Sequence, residues 1–249
     1  MLRLGISGVC GKMGKRIASL AMKDPGVEIK GALERPDISD IGEDLGLIIG
    51  AKESGVKITS SLEEVSGMID CLIEFTSPEA TMKHLEVCAK KGISMVIGTT
   101  GLDEKALEAI AEKAKKVPIV FSPNMSVGVN LLFNLVEEAS RVLGRDFSIK
   151  IDETHHVHKK DSPSGTAKMI KKVIAASSGI DAPIEAFREG EVIGNHGVVF
   201  DGKYETLEIR HDAKNRDVFA SGAIEAAKFT AGKAPALYSM KDVLGLKNK

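Results

Sequence analysis

Through its first half the chain alternates apolar runs of strand length with segments of helix length, and no other feature of the sequence constrains the fold as much. The runs are LRLGIS, VEIKGAL, IDCLIEF, ISMVIG and VPIVF, interleaved with helix-length stretches at 12–23, 79–91 and 103–116. Parallel strands must be joined by crossovers, and helical crossovers cover both faces of the sheet they connect. Near-continuous apolar strands alternating with helices therefore predict a doubly wound parallel sheet of the α/β class. Within 12–23, Met13, Ile17, Leu20 and Ala21 recur at helical spacing, giving one face to the sheet and leaving Lys12, Lys15 and Arg16 for solvent or ligand.

After Asn124 the rhythm changes. A helix is expected over about 128–143, then the strand FSIKIDE with Phe147, Ile149 and Ile151 on one face, and a helix over about 165–178 stopped by Gly179. IEAFR, GVVF, YETLEIR and DVFAS read as further strands, so this half is expected to be a second, α+β domain with an open mixed sheet. From about Gly222 the Ala-rich GAIEAAKF is helical again and is expected to rejoin the first domain. The expected organisation is a first domain of 1–126 with 222–249 and a second of 127–221.

The 34 basic and 35 acidic residues nearly cancel, with no block of five like charges, which argues against nucleic acid or an acidic membrane surface as a partner. Cys10, Cys71 and Cys88 are widely spaced and form no Cys-x-x-Cys pair, so a disulfide framework or a thiolate zinc site is not expected and a reducing cytoplasm is. No stretch approaches the roughly 20 apolar residues of a membrane span, and the chain opens without a signal-like segment. A small molecule is the expected partner.

Gly8, Gly11 and Gly14 stand three apart, directly after the first strand and at the opening of the first helix. Glycines there let the backbone turn tightly and approach a pyrophosphate, which the helix N-terminus stabilises; the first domain is thus expected to be Rossmann-like. Glu34 ends the second strand 20 residues beyond Gly14, where an acid accepts hydrogen bonds from the adenosine ribose. Arg35 beside it suits a 2′-phosphate, so either NADH or NADPH remains open as coenzyme. Cys10 is expected to tuck a small side chain inward and offer its backbone. Three more strands end in the small polar loops FTSP, GTTG and SPNMS, expected to line the same crevice and to hold the nicotinamide through their backbone.

The stretch THHVHKKDSPSGTA, 154–167, crowds three histidines, two lysines and an aspartate before a small polar turn. A metal site is not expected: Lys159 and Lys160 would repel a divalent cation, and the spacing of zinc hydrolases is absent. Ser164, Gly165 and Thr166 open a helix and so present N–H groups and a positive dipole end to a carboxylate. Pro163 rigidifies the entry, and Lys159 with an imidazole completes an anion cage. The remaining His and Lys groups suit delivery of the proton that hydride addition to an unsaturated substrate requires.

Taken together, GxxGxMG, Glu34-Arg35, FTSP, VIGTTG, SPNMSVGVN, ETHHVHKKDSPSGTA, REGEVIGNHGV and FASGA resemble, in order and spacing, the 4-hydroxy-tetrahydrodipicolinate reductases, also called dihydrodipicolinate reductases. The resemblance covers nearly the whole chain. It implies reduction of a cyclic imino dicarboxylate to tetrahydrodipicolinate in diaminopimelate and lysine biosynthesis. It further implies coenzyme contacts from Gly8, Val9, Cys10, Gly11, Lys12, Met13, Glu34, Arg35, Gly98, Thr99, Thr100, Ser122, Pro123, Asn124 and Met125. His155 would be proton donor or acceptor and Lys159 proton donor, with His156, Lys159, Ser164, Gly165 and Thr166 gripping the substrate. A homotetramer assembled through the second domain is implied as well. Glu74 stands where the family usually has aspartate, and Met125 where an aromatic is frequent. Two rival readings are an amino-acid dehydrogenase acting on an oxo or imino acid, which has no need of the dense histidine-lysine segment, and a coenzyme-sensing module that turns nothing over.

Overall fold

The computed structural model of the chain describes residues 1–246. It divides into two compact units, Met1–Ser126 with Phe219 onward, and Val127–Val218. The return to the first unit falls three residues before the expected Gly222. Among the described residues no helix is long and apolar enough to cross a membrane.

The first unit carries, in chain order, β1 (Leu2–Ser7), α1 (Lys12–Ala21), β2 (Val27–Leu33), α2 (Leu45–Ile48), β3 (Ile58–Thr59), α3 (Leu62–Val65), β4 (Cys71–Glu74), α4 (Pro78–Lys91), β5 (Ser94–Ile97), α5 (Glu104–Lys113) and β6 (Ile119–Phe121). The second carries α6 (Val127–Leu143), β7 (Ser148–His155), α7 (Gly165–Ser178), β8 (Ile184–Arg188), β9 (Asn195–Asp201) and β10 (Thr206–Asp212). Then α8 (Asp217–Thr230), of which Phe219 onward belongs to the first unit, β11 (Leu237–Tyr238) and α9 (Met240–Val243) follow.

The seven-stranded sheet runs β11-β6-β5-β4-β1-β2-β3, with every pairing parallel. It is the dinucleotide-binding order 3-2-1-4-5-6 with one strand added at an edge, so the chain reverses direction across the sheet between β1 and β4. Both faces are buried, as a doubly wound sheet requires. Leu4, Ile6, Ile73 and Val96 pack with Ile17 and Ala18 of α1 and Ala223 and Ala227 of α8; Leu72, Met95 and Ile97 pack with Leu85 of α4 and Ile110 of α5. Helices α4 and α5 start on side-chain caps: Ser77 and Asp103 accept the N–H groups of Ala80 and Ala106.

DVFAS is not a strand. It forms the first turn of α8, where Asp217 complements the helix dipole and the Asn215 side chain accepts the Asp217 N–H at 2.8 Å. Ala220, Ala223, Ile224 and Ala227 then recur in the buried face at helical spacing, a pattern that outweighs the short β-like run. Gly222 sits inside this helix because a Cβ there would lie 1.7 Å from the carbonyl oxygen of Met125.

In the second unit the sheet order is β10-β9-β7-β8, with β7 and β8 parallel and the other pairs antiparallel. Helices α6 and α7 cover one face, where Leu132, Val136, Ile170 and Ile174 meet Ile149, Ile151, Val198 and Phe200. Along β7 the alternation that buries Ile149 and Ile151 continues without a break to Glu153 and His155. The period of two thus delivers two polar side chains to the helix-covered face at the strand's end.

Candidate active site

In the first unit, β1 ends in the glycine turn. Gly8 has φ +79°, a conformation that disfavours any side chain, and a Cβ on it would meet the Phe75 carbonyl oxygen at 2.8 Å. A Cβ on Gly14 would lie 2.0 Å from the Gly8 carbonyl oxygen, so α1 can approach the turn only as glycine allows. Gly11 caps α1 without a side chain, leaving the helix start open. Glu34, at the end of β2, accepts the Cys10 N–H at 3.0 Å and its own neighbour's N–H from Arg35 at 3.0 Å, so the acid braces the glycine turn. Arg35 is exposed and paired with Asp37 at 3.3 Å. A cavity of about 560 Å³ lies here, lined by Gly8, Gly11, Glu34, Arg35, Thr76 and His84 among others. It opens beyond the carboxyl ends of β1, β2 and β4, at the point where the topology reverses, which is where a doubly wound sheet binds a dinucleotide.

The other predicted coenzyme residues divide by burial. Val9, Gly98, Thr99, Ser122 and Met125 are buried, so Val9 and Met125 have only backbone to offer a ligand, whereas Lys12, Thr100 and Pro123 are exposed and Cys10, Met13 and Asn124 lie between. Met125 packs in the core against α8. Thr99 is occupied structurally, its hydroxyl 2.9 Å from that of Thr81 and accepting the Thr76 N–H at 3.1 Å. Gly98 leaves room for the Phe75 ring, which a Cβ would meet at 2.2 Å. Burial raises the Cys10 thiol to about 11, keeping it protonated and unreactive. Sequence reasoning missed a polar cluster on this wall: buried Glu74 accepts from the Thr76 hydroxyl and lies 2.7 Å from His84 Nδ1.

In the second unit, Ser164 is the N-cap of α7, its hydroxyl accepting the Ala167 N–H at 3.2 Å. Gly165 is exposed, and a Cβ there would meet nothing within 4 Å, so the helix start is open to an anion. The peptide before Pro163 is cis. Next to this helix start stands His155, buried, with Nδ1 in hydrogen-bonding contact with Oε2 of fully buried Glu153. The other carboxylate oxygen, Oε1, accepts the Ser164 N–H at 3.1 Å and Arg188 Nη1 at 3.1 Å. Arg188 also donates to the Asp161 carbonyl at 2.6 Å, tying the charged loop to β8.

Lys159 donates to Asp161 at 2.7 Å, and this contact holds the Asp161 carboxyl below its usual range. His155 is pushed below the ordinary imidazole value, chiefly by burial, with Glu153 opposing that shift and Lys159 and Arg188 adding to it. His196 on β9 is pushed down to about 3 by burial and by its neighbours His155 and His211. Its ring stands edge-on to His155 at 5.1 Å, and Nε2 lies 3.3 Å from the Ser164 hydroxyl. His156 is half-buried, while His158 is exposed and reaches Glu191 at 3.5 Å, outside this cluster. Glu153, His155 and His196 bring ligand-type atoms within 4.8 Å of one another, but both carboxylate oxygens are already engaged by N–H donors or imidazole.

Glu153, Arg188 and His196 lay inside motifs of the sequence reading without a role of their own, and His211 was absent from it. Their signal was the strand register: Glu153 pairs with His196 and His196 with His211 across β7, β9 and β10, which puts three titratable side chains in one row on one face.

A doubly wound unit with this switch point, joined to a mixed-sheet unit, is the architecture of two-domain dehydrogenases. The solved amine dehydrogenase from Mycobacterium smegmatis shares it at a TM-score of 0.74 and 14% identity, covering 100% of this chain and 97% of that one. A dipicolinate-bound dihydrodipicolinate reductase from Paenisporosarcina sp. TG-14 superposes at 0.81 with 26% identity, covering 96% and 97% of the two chains. The family profiles of the dihydrodipicolinate reductase N-terminus and C-terminus match residues 2–125 and 128–244. The 4-hydroxy-tetrahydrodipicolinate reductases of Trichlorobacter lovleyi and Anaeromyxobacter dehalogenans are 42% and 41% identical, each covering 99% of this chain and 100% and 99% of their own. The chain belongs to the dihydrodipicolinate reductase family.

Proposed function

We propose that the protein reduces 4-hydroxy-tetrahydrodipicolinate to tetrahydrodipicolinate with NADH or NADPH, in diaminopimelate and lysine biosynthesis. The observation that carries this reading is the full-length kinship to reductases of that name, at 42% identity over 99% of the chain. The net change adds a hydride and a proton to the ring, and the 4-hydroxyl leaves as water.

The residues around the 560 Å³ cavity fit a dinucleotide: Gly8 to Met13 leave backbone close to a pyrophosphate, and Glu34 and Arg35 face the adenosine end. Bound there, the reduced coenzyme supplies the hydride. Gly98 to Thr100 and Ser122 to Met125 contribute mainly backbone groups from strand ends on the same side of the sheet.

The substrate's carboxylates suit the open start of α7, which Ser164 fixes through its bonds to Glu153 and Ala167, where Gly165 and Thr166 offer N–H and hydroxyl donors and His156 and Lys159 offer side-chain contacts. Lys159 serves as proton donor, and His155 accepts or returns a proton at Nε2. The enzyme works in the cytoplasm as a homotetramer, which light scattering tests against four times the 26.5 kDa chain.

Calorimetric titration with dipicolinate, an unreactive dicarboxylate, tests the substrate site. Thr166→Val keeps the shape and removes a hydroxyl donor to a charged group, so the Kd should rise about tenfold. An unchanged Kd in Thr166→Val together with a weakened one in Arg35→Ala would move the dicarboxylate to the first unit and overturn the assignment.

A further inference from the structure

We infer that Glu153 is a positioning residue that locks His155 in the Nδ1–H tautomer, aims Nε2 at the substrate, and ties that aim to the carboxylate-binding start of α7. The inference rests on the reductase reading for its chemistry, but its geometry stands apart from any turnover.

The argument is one of donors and acceptors. Oε1 of Glu153 is claimed by two N–H groups, those of Ser164 and Arg188, neither of which can accept. Oε2 faces His155 Nδ1 and can only receive a proton there, so a neutral His155 carries its proton on Nδ1 and leaves Nε2 as the free lone pair. Beside Nε2 the chain places Gly194, where a Cβ would lie 3.1 Å from that nitrogen, so glycine keeps the space next to it clear. The same carboxylate holds the N-cap residue of α7, so the imidazole and the helix start share one anchor.

The charged and titratable groups around His155 are Glu153 on its own strand, Arg188 on β8, His196 on β9, and Lys159 and Asp161 in the following loop; His211 stands behind His196. Both carboxylates favour the protonated ring, Glu153 through direct contact with Nδ1. A tautomer held by a buried carboxylate is worth much to a proton-transferring histidine, because the wrong tautomer presents a proton where a lone pair is needed.

The decisive variant is Glu153→Gln. The side-chain oxygen of the new residue will satisfy Ser164 and Arg188, which turns its NH2 toward Nδ1 and forces the His155 proton onto Nε2. Long-range 1H–15N spectra of labelled full-length protein, with the His155 signals assigned by their loss in His155→Gln, read this directly. We expect Nδ1–H in the wild type and Nε2–H in Glu153→Gln. We also expect kcat to fall roughly 100-fold or more while the coenzyme KM holds within about threefold, and the His155 limb of the pH profile to move about one unit or more to lower pH. Glu153→Asp keeps an acceptor-only carboxylate, so it should retain the Nδ1–H tautomer and lose less activity than Glu153→Gln.

An Nε2–H tautomer in the wild type overturns the inference without any variant, even if Glu153→Gln fails to fold. So does a Glu153→Gln enzyme whose tautomer and kcat are unchanged. A wild type with the Nδ1–H tautomer that turns over no substrate supports the positioning role and contradicts the reductase reading instead.

Discussion

Lys159 donates to Asp161 at 2.7 Å in the loop that follows His155, so the cation assigned to the substrate waits beside a counter-ion of its own chain. A carboxylate is thus the group this ammonium already prefers, and a substrate carboxylate competes with Asp161 for it.

Lys159→Ala removes that cation and the proposed proton donor. The expected result is a fall in kcat of roughly 100- to 10,000-fold with coenzyme affinity nearly unchanged, measured by steady-state kinetics and by coenzyme fluorescence titration. Loss of coenzyme affinity with kcat intact would assign the loop to the nucleotide site.

Arg35 is exposed and its guanidinium pairs with Asp37 beside Glu34. Arg35→Ala should lower kcat/KM for NADPH relative to NADH about tenfold, because the arginine attracts a 2′-phosphate that the neighbouring acid repels. If the ratio of the two values does not move, Lys12 at the start of α1 is the next candidate.

The parallel sheet and its helices were legible because each burial pattern was local: continuous apolar strands and helical faces need no partner to be recognised. DVFAS misled because five residues cannot distinguish a strand from the first turn of a helix, and the deciding residues, Ala223, Ile224 and Ala227, lie beyond it. At the site, the residues in one contiguous motif, His155 to Thr166, stood out by their density. Glu153 lay at that motif's edge and read as the end of an alternating strand. Arg188, His196 and His211 come from β8, β9 and β10, and only the register of the mixed sheet brings them together. Val9, Thr99 and Met125, expected from the sequence to touch the coenzyme, were legible as positions but not as side chains turned into the core.

His196 makes a prediction about acid stability. Its folded value near 3 lies below that of an exposed histidine, about 6.5, so the unfolded chain binds a proton the native protein refuses. The stability it contributes is fully present above about pH 6.5 and is lost as pH falls toward its folded value, at close to 1.4 kcal/mol per pH unit. Between about pH 6 and pH 4.5, above the range of most carboxylates, denaturant unfolding should show stability falling with pH, and His196→Asn should flatten that slope. A slope unaffected by His196→Asn would place the acid sensitivity elsewhere, with His211, also lowered by burial, the first alternative.

The central claim is that this chain passes a hydride to a cyclic imino dicarboxylate, and a coupled assay tests it most directly. Freshly generated 4-hydroxy-tetrahydrodipicolinate is mixed with the protein and reduced coenzyme in a buffer containing a chelator, and the absorbance of the reduced nicotinamide is followed. The account predicts substrate-dependent loss of absorbance that persists through chelation and collapses in both Lys159→Ala and His155→Ala. Coenzyme that binds but is never oxidised, or activity abolished by the chelator and restored by zinc, would contradict it.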